Sequence, residues 1–283
     1  MADSTEADRN LNLSIGDRAF LSLYFGSHKL PAALCSLLKA AEAGIQSTVV
    51  GTWLGLLTPE QLSKLDAWYY NRGFKEYVDK SYNNSGLFAW EQEVISTYFS
   101  GLHSILIAAG AGGGREMLAL NRMGLRVDGY EYNPGLVSVG NTLLAEEGFP
   151  PTLAVGPANG LPAGDKQYDG VIVGWGTYTL IAGRAARTAL LRQIRARVAP
   201  GAPVLLSFFD RTGDTGSYRL TAGIANAIRT VLRRPKVEIG DTLSISYAHR
   251  FTKQEIAAEL TQAGFETVLF KREPYAHAVG VAV

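Results

Sequence analysis

The chain has 283 residues, 47% of them hydrophobic and 19% charged, and its 27 Lys and Arg stand against 26 Asp and Glu for a formal charge of +1. That length allows one large domain or two modest ones, and the apolar share excludes a mostly disordered chain. A near-neutral balance lacks the basic surplus that nucleic acid or an anionic membrane surface selects, so neither is expected as a partner.

Cys35 is the single cysteine, so no intrachain disulfide and no thiolate metal cage can form, which fits a reducing compartment. No metal is expected. The first ten residues are polar and acidic-leaning and are expected to form a tail, without the basic-then-apolar order of a secretory signal. The apolar stretch Ser47 to Leu57 is too short for a bilayer, which takes about 20 residues. The expected location is the cytoplasm.

From Asp17 to Ala43, apolar residues recur at three- and four-residue steps and predict a helix. Thr58-Pro59-Glu60-Gln61 predicts the start of another, with Thr58 as cap, Pro59 in the first turn and Gln61 closing a capping box. That helix should carry Leu62, Leu65, Trp68 and Tyr69 on one stripe. The polar run Lys80 to Gly86 predicts a break ending a helical N-terminal unit, 1–85; its Trp53, Trp68, Tyr69 and Tyr70 are read either as the aromatic core of that unit or as part of a lid or dimer surface.

The rhythm then changes. A helix (Ala89–Phe99) leads into the compact apolar run Ser104–Ala109, suited to a strand buried on both faces. Next come a helix (Arg115–Met123), a strand (Arg126–Glu131), a helix (Pro134–Glu147) and the strands Thr152–Val155 and Gly170–Val173. A helix (Arg184–Val198) and the strand Pro203–Phe208 continue the alternation. Strands alternating with helices of this length predict βαβ units and a mainly parallel sheet. The arginines of the 184–198 helix, Arg184, Arg187, Arg192, Arg195 and Arg197, form no single stripe and predict a solvated face. Tyr218–Arg234 predicts a helical insertion over the sheet edge. Thr252 and Glu255 form a capping box opening a helix to Ala263, stopped by Gly264. The strands Glu266–Lys271 and Ala276–Val283 are so closely linked that the last must run antiparallel to its neighbour.

The strongest chemical signal is ILIAAGAGGGRE, in which a strand runs into Gly110-x-Gly112-x-Gly114 and then a helix. Bare backbone there lets a ligand approach closely, and the helix start offers free N–H groups. The next strand ends in Glu131, about 20 residues past the first glycine, where a carboxylate can accept both ribose hydroxyls of an adenosine. A dinucleotide fingerprint would need its third glycine at position 115, which is Arg115.

These segments resemble the class I S-adenosylmethionine-dependent methyltransferases. ILIAAGAGGG is similar to their first motif and GYE to their acidic second-strand end. AVGPANGLP and QYDGVIVGWG are similar to the third- and fourth-strand segments, VAPGAPVLLSF to the approach to the fifth, and HRFTKQEIAAELTQAGFETVLFK to the sixth-strand region. The resemblance spans roughly 75–283. The chain departs from the pattern at Ala108, where the family usually carries an acid, and at Gly156 to Asn159, where an acid is also common.

The resemblance implies an α/β, doubly wound, mostly parallel seven-stranded sheet with an antiparallel last strand. It places the cofactor-binding domain at 86–283, with the helical insertion near 215–240. It implies S-adenosylmethionine as cofactor and O- or N-methylation of a small molecule or peptide. Gly110, Gly112 and Gly114 would lie under the methionine part, Glu131 at the ribose, Tyr132, Ala158 and Asn159 around the adenine, and Gly174 and Trp175 where the sulfonium meets its acceptor. Methyl transfer from a sulfonium is largely a matter of positioning, so a base is optional. Candidate acceptor-side residues are His249, in a loop expected above the sheet, Tyr178 beyond Trp175, and Asp210 after the fifth strand. His277 is expected to pack in the last strand. A non-catalytic nucleotide-binding module and an NAD(P)-dependent oxidoreductase are the alternatives, and a homodimer is open.

Overall fold

The structure is a computed structural model that describes residues 32–62, 64–65, 75–212, 215–244 and 246–283. The expected tail, the first half of the helix from Asp17, His28 and the aromatic trio Trp68, Tyr69 and Tyr70 lie outside the described residues. The chain divides into two units, 1–47 and 48–283. Of the first, only 32–47, part of helix α1 (Ala32–Leu56), is described; the sheet and the site belong to the second.

The Thr58 capping box forms, with the Gln61 amide nitrogen donating to Thr58 Oγ1 at 3.2 Å and the Thr58 amide donating to Gln61 Oε1 at 2.8 Å. The stretch 75–83 holds two short helices, α2 (Lys75–Val78) and α3 (Lys80–Asn83), where the polar run had predicted a plain break. The Asp79 carboxylate caps α3 by accepting from the Ser81 amide at 2.7 Å, the local bonding that short acidic side chains offer at helix starts. Helix α4 (Ala89–Tyr98) precedes the sheet.

The main sheet has seven strands in the order β3-β2-β1-β4-β5-β10-β9. They are β1 (Ser104–Ala109), β2 (Arg126–Glu131), β3 (Leu153–Val155), β4 (Gly170–Val173), β5 (Pro203–Ser207), β9 (Phe265–Lys271) and β10 (His277–Ala282). The first five pair in parallel, while β10 runs antiparallel to both β5 and β9, as the short Arg272–Tyr275 link requires. Helices α5 (Arg115–Arg122), α6 (Pro134–Glu146), α7 (Thr177–Leu180), α8 (Arg184–Arg195) and α10 (Lys253–Gln262) connect them. Successive side chains of a strand point to opposite faces. Ile105, Ile107, Ile172 and Leu205 accordingly join one apolar layer, and Leu106, Val171, Val204 and Leu206 the other.

The insertion contains more than a helix. Helix α9 (Thr215–Val231) is followed by β7 (Asp241–Leu243) and β8 (Tyr247–Phe251), which with β6 (Phe209–Asp210) make a three-stranded side sheet. Glycine lets α9 close on α1: a Cβ at Gly51 would lie 2.7 Å from the Thr221 carbonyl oxygen, and one at Gly55 2.8 Å from Ile228 Cβ. Arg229 of α9 then donates to the Leu54 and Leu57 carbonyls at 2.8 and 3.1 Å, satisfying acceptors that the end of α1 leaves open.

Arg187 overturns the solvated reading of the α8 arginines. Its side chain is fully buried, and Nη2 lies 2.6 Å from Glu259 Oε1 of α10 and 2.8 Å from Glu238. The Tyr178 hydroxyl donates to the other Glu259 oxygen at 2.6 Å. A buried charge persists only with a partner, and the partner here lies across the fold, out of reach of any local pattern. Arg187→Leu, which strands Glu259, is expected to cost about 3–5 kcal/mol of unfolding free energy. The double variant Arg187→Leu/Glu259→Leu should recover a large part of that in urea unfolding; a single variant as stable as the parent would contradict the pairing.

Candidate active site

The site begins with the way β1 ends. Its register against β4 shifts between Ile107 and Ala109, and the chain turns through Gly110, Gly112 and Gly114, all with positive φ, into α5. Only glycine takes these angles without strain. The two strand ends also approach very closely: a Cβ at Gly174, after β4, would lie 2.1 Å from the Gly110 carbonyl oxygen. Glu131, at the end of β2, closes the turn by accepting from the Gly112 amide at 3.0 Å and from the Asn133 amide at 2.9 Å. Burial pushes its carboxyl above the usual range, and the backbone donors at Asn133 and Gly112 oppose that shift.

Above this turn is a cavity of about 1290 Å³, counted to its open mouth, at the C-terminal ends of the parallel strands where doubly wound sheets bind ligands. Gly110, Gly112 and Glu131 line it, with Tyr132, Ala158 and Asn159 around one rim. Trp175 forms another part of the wall and leans on Tyr275, ring centroids 4.9 Å apart. Gly114 and Gly174 do not line it. Gly114 instead backs onto Gly140 of α6, where a Cβ would sit 3.2 Å from the Gly140 Cα.

The segment before β1 reaches the same cavity: Tyr77, Tyr82 and Asn83 are on its wall. A Cβ on Gly113 would lie 2.2 Å from the Tyr77 carbonyl oxygen and 2.5 Å from Asn83 Nδ2, so 77–83 rests directly on the turn. Arg115 anchors it further. Its guanidinium, 2% exposed, grips both oxygens of Glu91 at 2.7 Å, donates to Glu116 at 2.8 Å and to the Gly86 carbonyl at 2.7 Å, and lies 4.1 Å from the centroid of the Phe88 ring. The residue that breaks the dinucleotide fingerprint is thus the post that holds the pre-strand segment over the loop. Burial pushes the Glu91 carboxyl up, against the stabilising bonds from Arg115.

The structure does not bring the three catalytic candidates to this cavity. Tyr178 points into the core toward Glu259; burial, then the neighbouring Glu259 charge, raises its hydroxyl pKa well above the ordinary value. Asp210, in β6, faces Arg272 at 3.2 Å. His249 lies in strand β8 rather than a loop, fully buried, with Nδ1 2.6 Å from Asp241 Oδ1. The alternation Tyr-Ala-His-Arg-Phe is too short to announce a strand without its β7 partner. His277 packs against Trp90, ring centroids 4.7 Å apart. Lining residues that no motif marks are Leu62, Ile181, Ala182 and Tyr247, brought in by the 59–65 helix, the end of α7 and the side sheet.

The residues present fit an adenosine-bearing cofactor. A Cβ at Gly112 meets nothing nearer than Tyr77 at 3.8 Å, so a side chain there would project into the cavity that bare backbone leaves open. Asn83 Oδ1, buried on the same wall, has no hydrogen-bond partner. Among the described residues no group of three or more His, Cys, Asp or Glu is placed to hold a metal ion, and no helix is long and apolar enough to cross a membrane.

Residues 107–206 match the family described as "Methyltransferase domain". No curated protein matches the sequence. Among solved structures, 1,6-didemethyltoxoflavin N1-methyltransferase from Burkholderia thailandensis, with its substrate and S-adenosylhomocysteine bound, is similar at a TM-score of 0.57 and 17% identity, over 81% of this chain and 92% of that one. A methyltransferase from Methanosarcina mazei gives 0.51 and 20%, over 69% and 96%. The CcbJ methyltransferase from Streptomyces caelestis gives 0.51 and 14%, over 77% and 96%.

Gly113→Ala tests how firmly 77–83 sits on the turn. It should lower stability by about 1–3 kcal/mol through overpacking, read by urea unfolding; an unchanged midpoint would mean the segment yields freely. Residues 107–206 are thus similar to a methyltransferase domain, and the chain has the fold of the S-adenosylmethionine-dependent methyltransferases among these structures.

Proposed function

We propose that the chain methylates an oxygen or nitrogen of a small-molecule acceptor held in the cavity above the Gly110–Gly114 turn. The observation that carries this reading is continuity: one cavity has a bare glycine turn and Glu131 on its wall and extends past Trp175 and Thr177 to Leu62 and Tyr247. The near-complete burial of Leu62 and Tyr247 favours a small acceptor over a peptide.

In this reading Glu131, already bonded to two backbone amides, accepts the ribose hydroxyls with its remaining lone pairs. Tyr132 flanks the adenine, and Ala158 and Asn159 meet its edge, where Asn159 supplies the polar group that an acid gives elsewhere. The backbone of Gly110 and Gly112 passes under the methionine part, and Tyr82 and Asn83 cover it. What the bound cofactor would supply is an activated methyl group, open to an oxygen or nitrogen lone pair of the acceptor. Among the described lining residues, the ionisable ones other than tyrosines are Arg115, Glu116 and Glu131, all at the turn or its flanking strand end. The wall near Thr177 therefore contributes orientation and exclusion of water, a route that carries much of the rate in transfers between well-placed groups.

Titration calorimetry with S-adenosylhomocysteine tests the assignment. Glu131→Gln should weaken binding by about 1–3 kcal/mol, the loss expected when hydroxyls lose a charged acceptor. For the parent chain, affinity should be flat at alkaline pH and fall as pH drops through the raised pKa of Glu131, because the protonated carboxyl loses acceptor capacity. The variant should lack that fall. Equal affinities for parent and variant would remove Glu131 from the site.

A further inference from the structure

Among the described residues, the charges on the cavity wall are unevenly spread. Arg115, Glu116 and Glu131 stand at the turn and at the end of β2, whereas Leu62, Leu180, Ile181, Ala182 and Tyr247 contribute no charge. Leu62, Ala182 and Tyr247 pack in one apolar cluster with α1 and α9. Tyr247 is not an anchor for an ion. Its hydroxyl donates to Asp241 Oδ1 at 2.7 Å, and burial, then the Asp241 charge, raises its pKa well above the ordinary value, so the phenol stays neutral. Asp241 is itself turned away to serve both Tyr247 and His249 Nδ1.

Resting on the methyl-transfer reading, we propose that Leu62, Leu180, Ile181, Ala182 and Tyr247 form the acceptor chamber, and that the acceptor is a neutral, largely apolar small molecule. A charged group placed there would lose its hydration and meet no counter-charge among the described lining residues, which disfavours its binding. A flat apolar ring or chain would exchange water contact for the half-buried Leu180 and Ala182, which Leu62, Ile181 and the Tyr247 ring back from within, the usual source of affinity in such pockets.

Three naphthalenes of equal ring size separate charge from shape: 2-naphthol, 2-naphthoate and 2-naphthylmethylammonium, each titrated at pH 7 into the full chain saturated with S-adenosylhomocysteine. The neutral ring should bind at least about tenfold tighter than either ion. In Ala182→Asp the naphthol should weaken by about tenfold and the ammonium ring should become the preferred ligand. An unfolding midpoint checks that the variant is folded, and Leu180→Asp is the second variant. A charged ring that matches the naphthol, a naphthol that does not bind, or an unchanged order in the folded variants overturns the inference. Failure of S-adenosylhomocysteine to bind the parent chain strikes the methyl-transfer reading instead, and is measured in the first titration.

Discussion

The carboxylate of Glu131 is the constraint on which the site depends. It ends β2, lies against the turn after β1, and holds the Gly112 and Asn133 amides with separate oxygens. Two neighbouring parallel strands are thereby locked at their C-terminal ends in a geometry that their ladder alone would leave free. The protein accepts a carboxyl whose ionised form is disfavoured by burial, and a nucleoside's hydroxyls are the kind of donor that relieves such a group. A site under this tension before the ligand arrives is a common mark of function.

Around that lock the structure layers supports of decreasing generality. The close approach of Gly174 to Gly110 lets β4 end beside the turn. Arg115 ties the turn's helix to α4 through Glu91 and to the loop at Gly86, converting two carboxylates and a guanidinium, each costly to bury alone, into one satisfied group. Arg187, Glu259 and Tyr178 do the same below α7, and the Arg187 bond to the Ile181 carbonyl at 3.3 Å fixes the chain as it enters the uncharged part of the cavity. That uncharged wall is thus held from behind by buried polar groups.

Several supports were invisible in the linear pattern for one shared reason. Arg187 reads as one arginine among five on a helix, and His249 as a residue in a connecting stretch. Each is defined by a partner far along the chain or in a facing strand: Glu259 and Glu238 for the first, Asp241 for the second. Periodicity reports which face of an element is apolar, but it is silent on which buried polar group meets which. The candidates Tyr178 and Asp210 lie next to the right strands in sequence and still point elsewhere, because a single residue step along a turn redirects a side chain. Tyr82 and Asn83 read in sequence as part of a polar break, and it took the fold to lay them over the glycines.

What the amino-acid order determined by itself was the sheet and the glycine turn at the end of its first strand. Unbroken apolar strands demand two covering layers, short links dictate the antiparallel end, and a run of glycines before a helix admits few backbone paths. These are local consequences of sterics and burial. The uncharged part of the cavity was decided only by tertiary structure. It is assembled from Leu62 near the N-terminal helices, Ile181 and Ala182 beyond α7, and Tyr247 in a side sheet. Such a surface has no local signature, since its chemistry comes from side chains that meet only once the chain has folded.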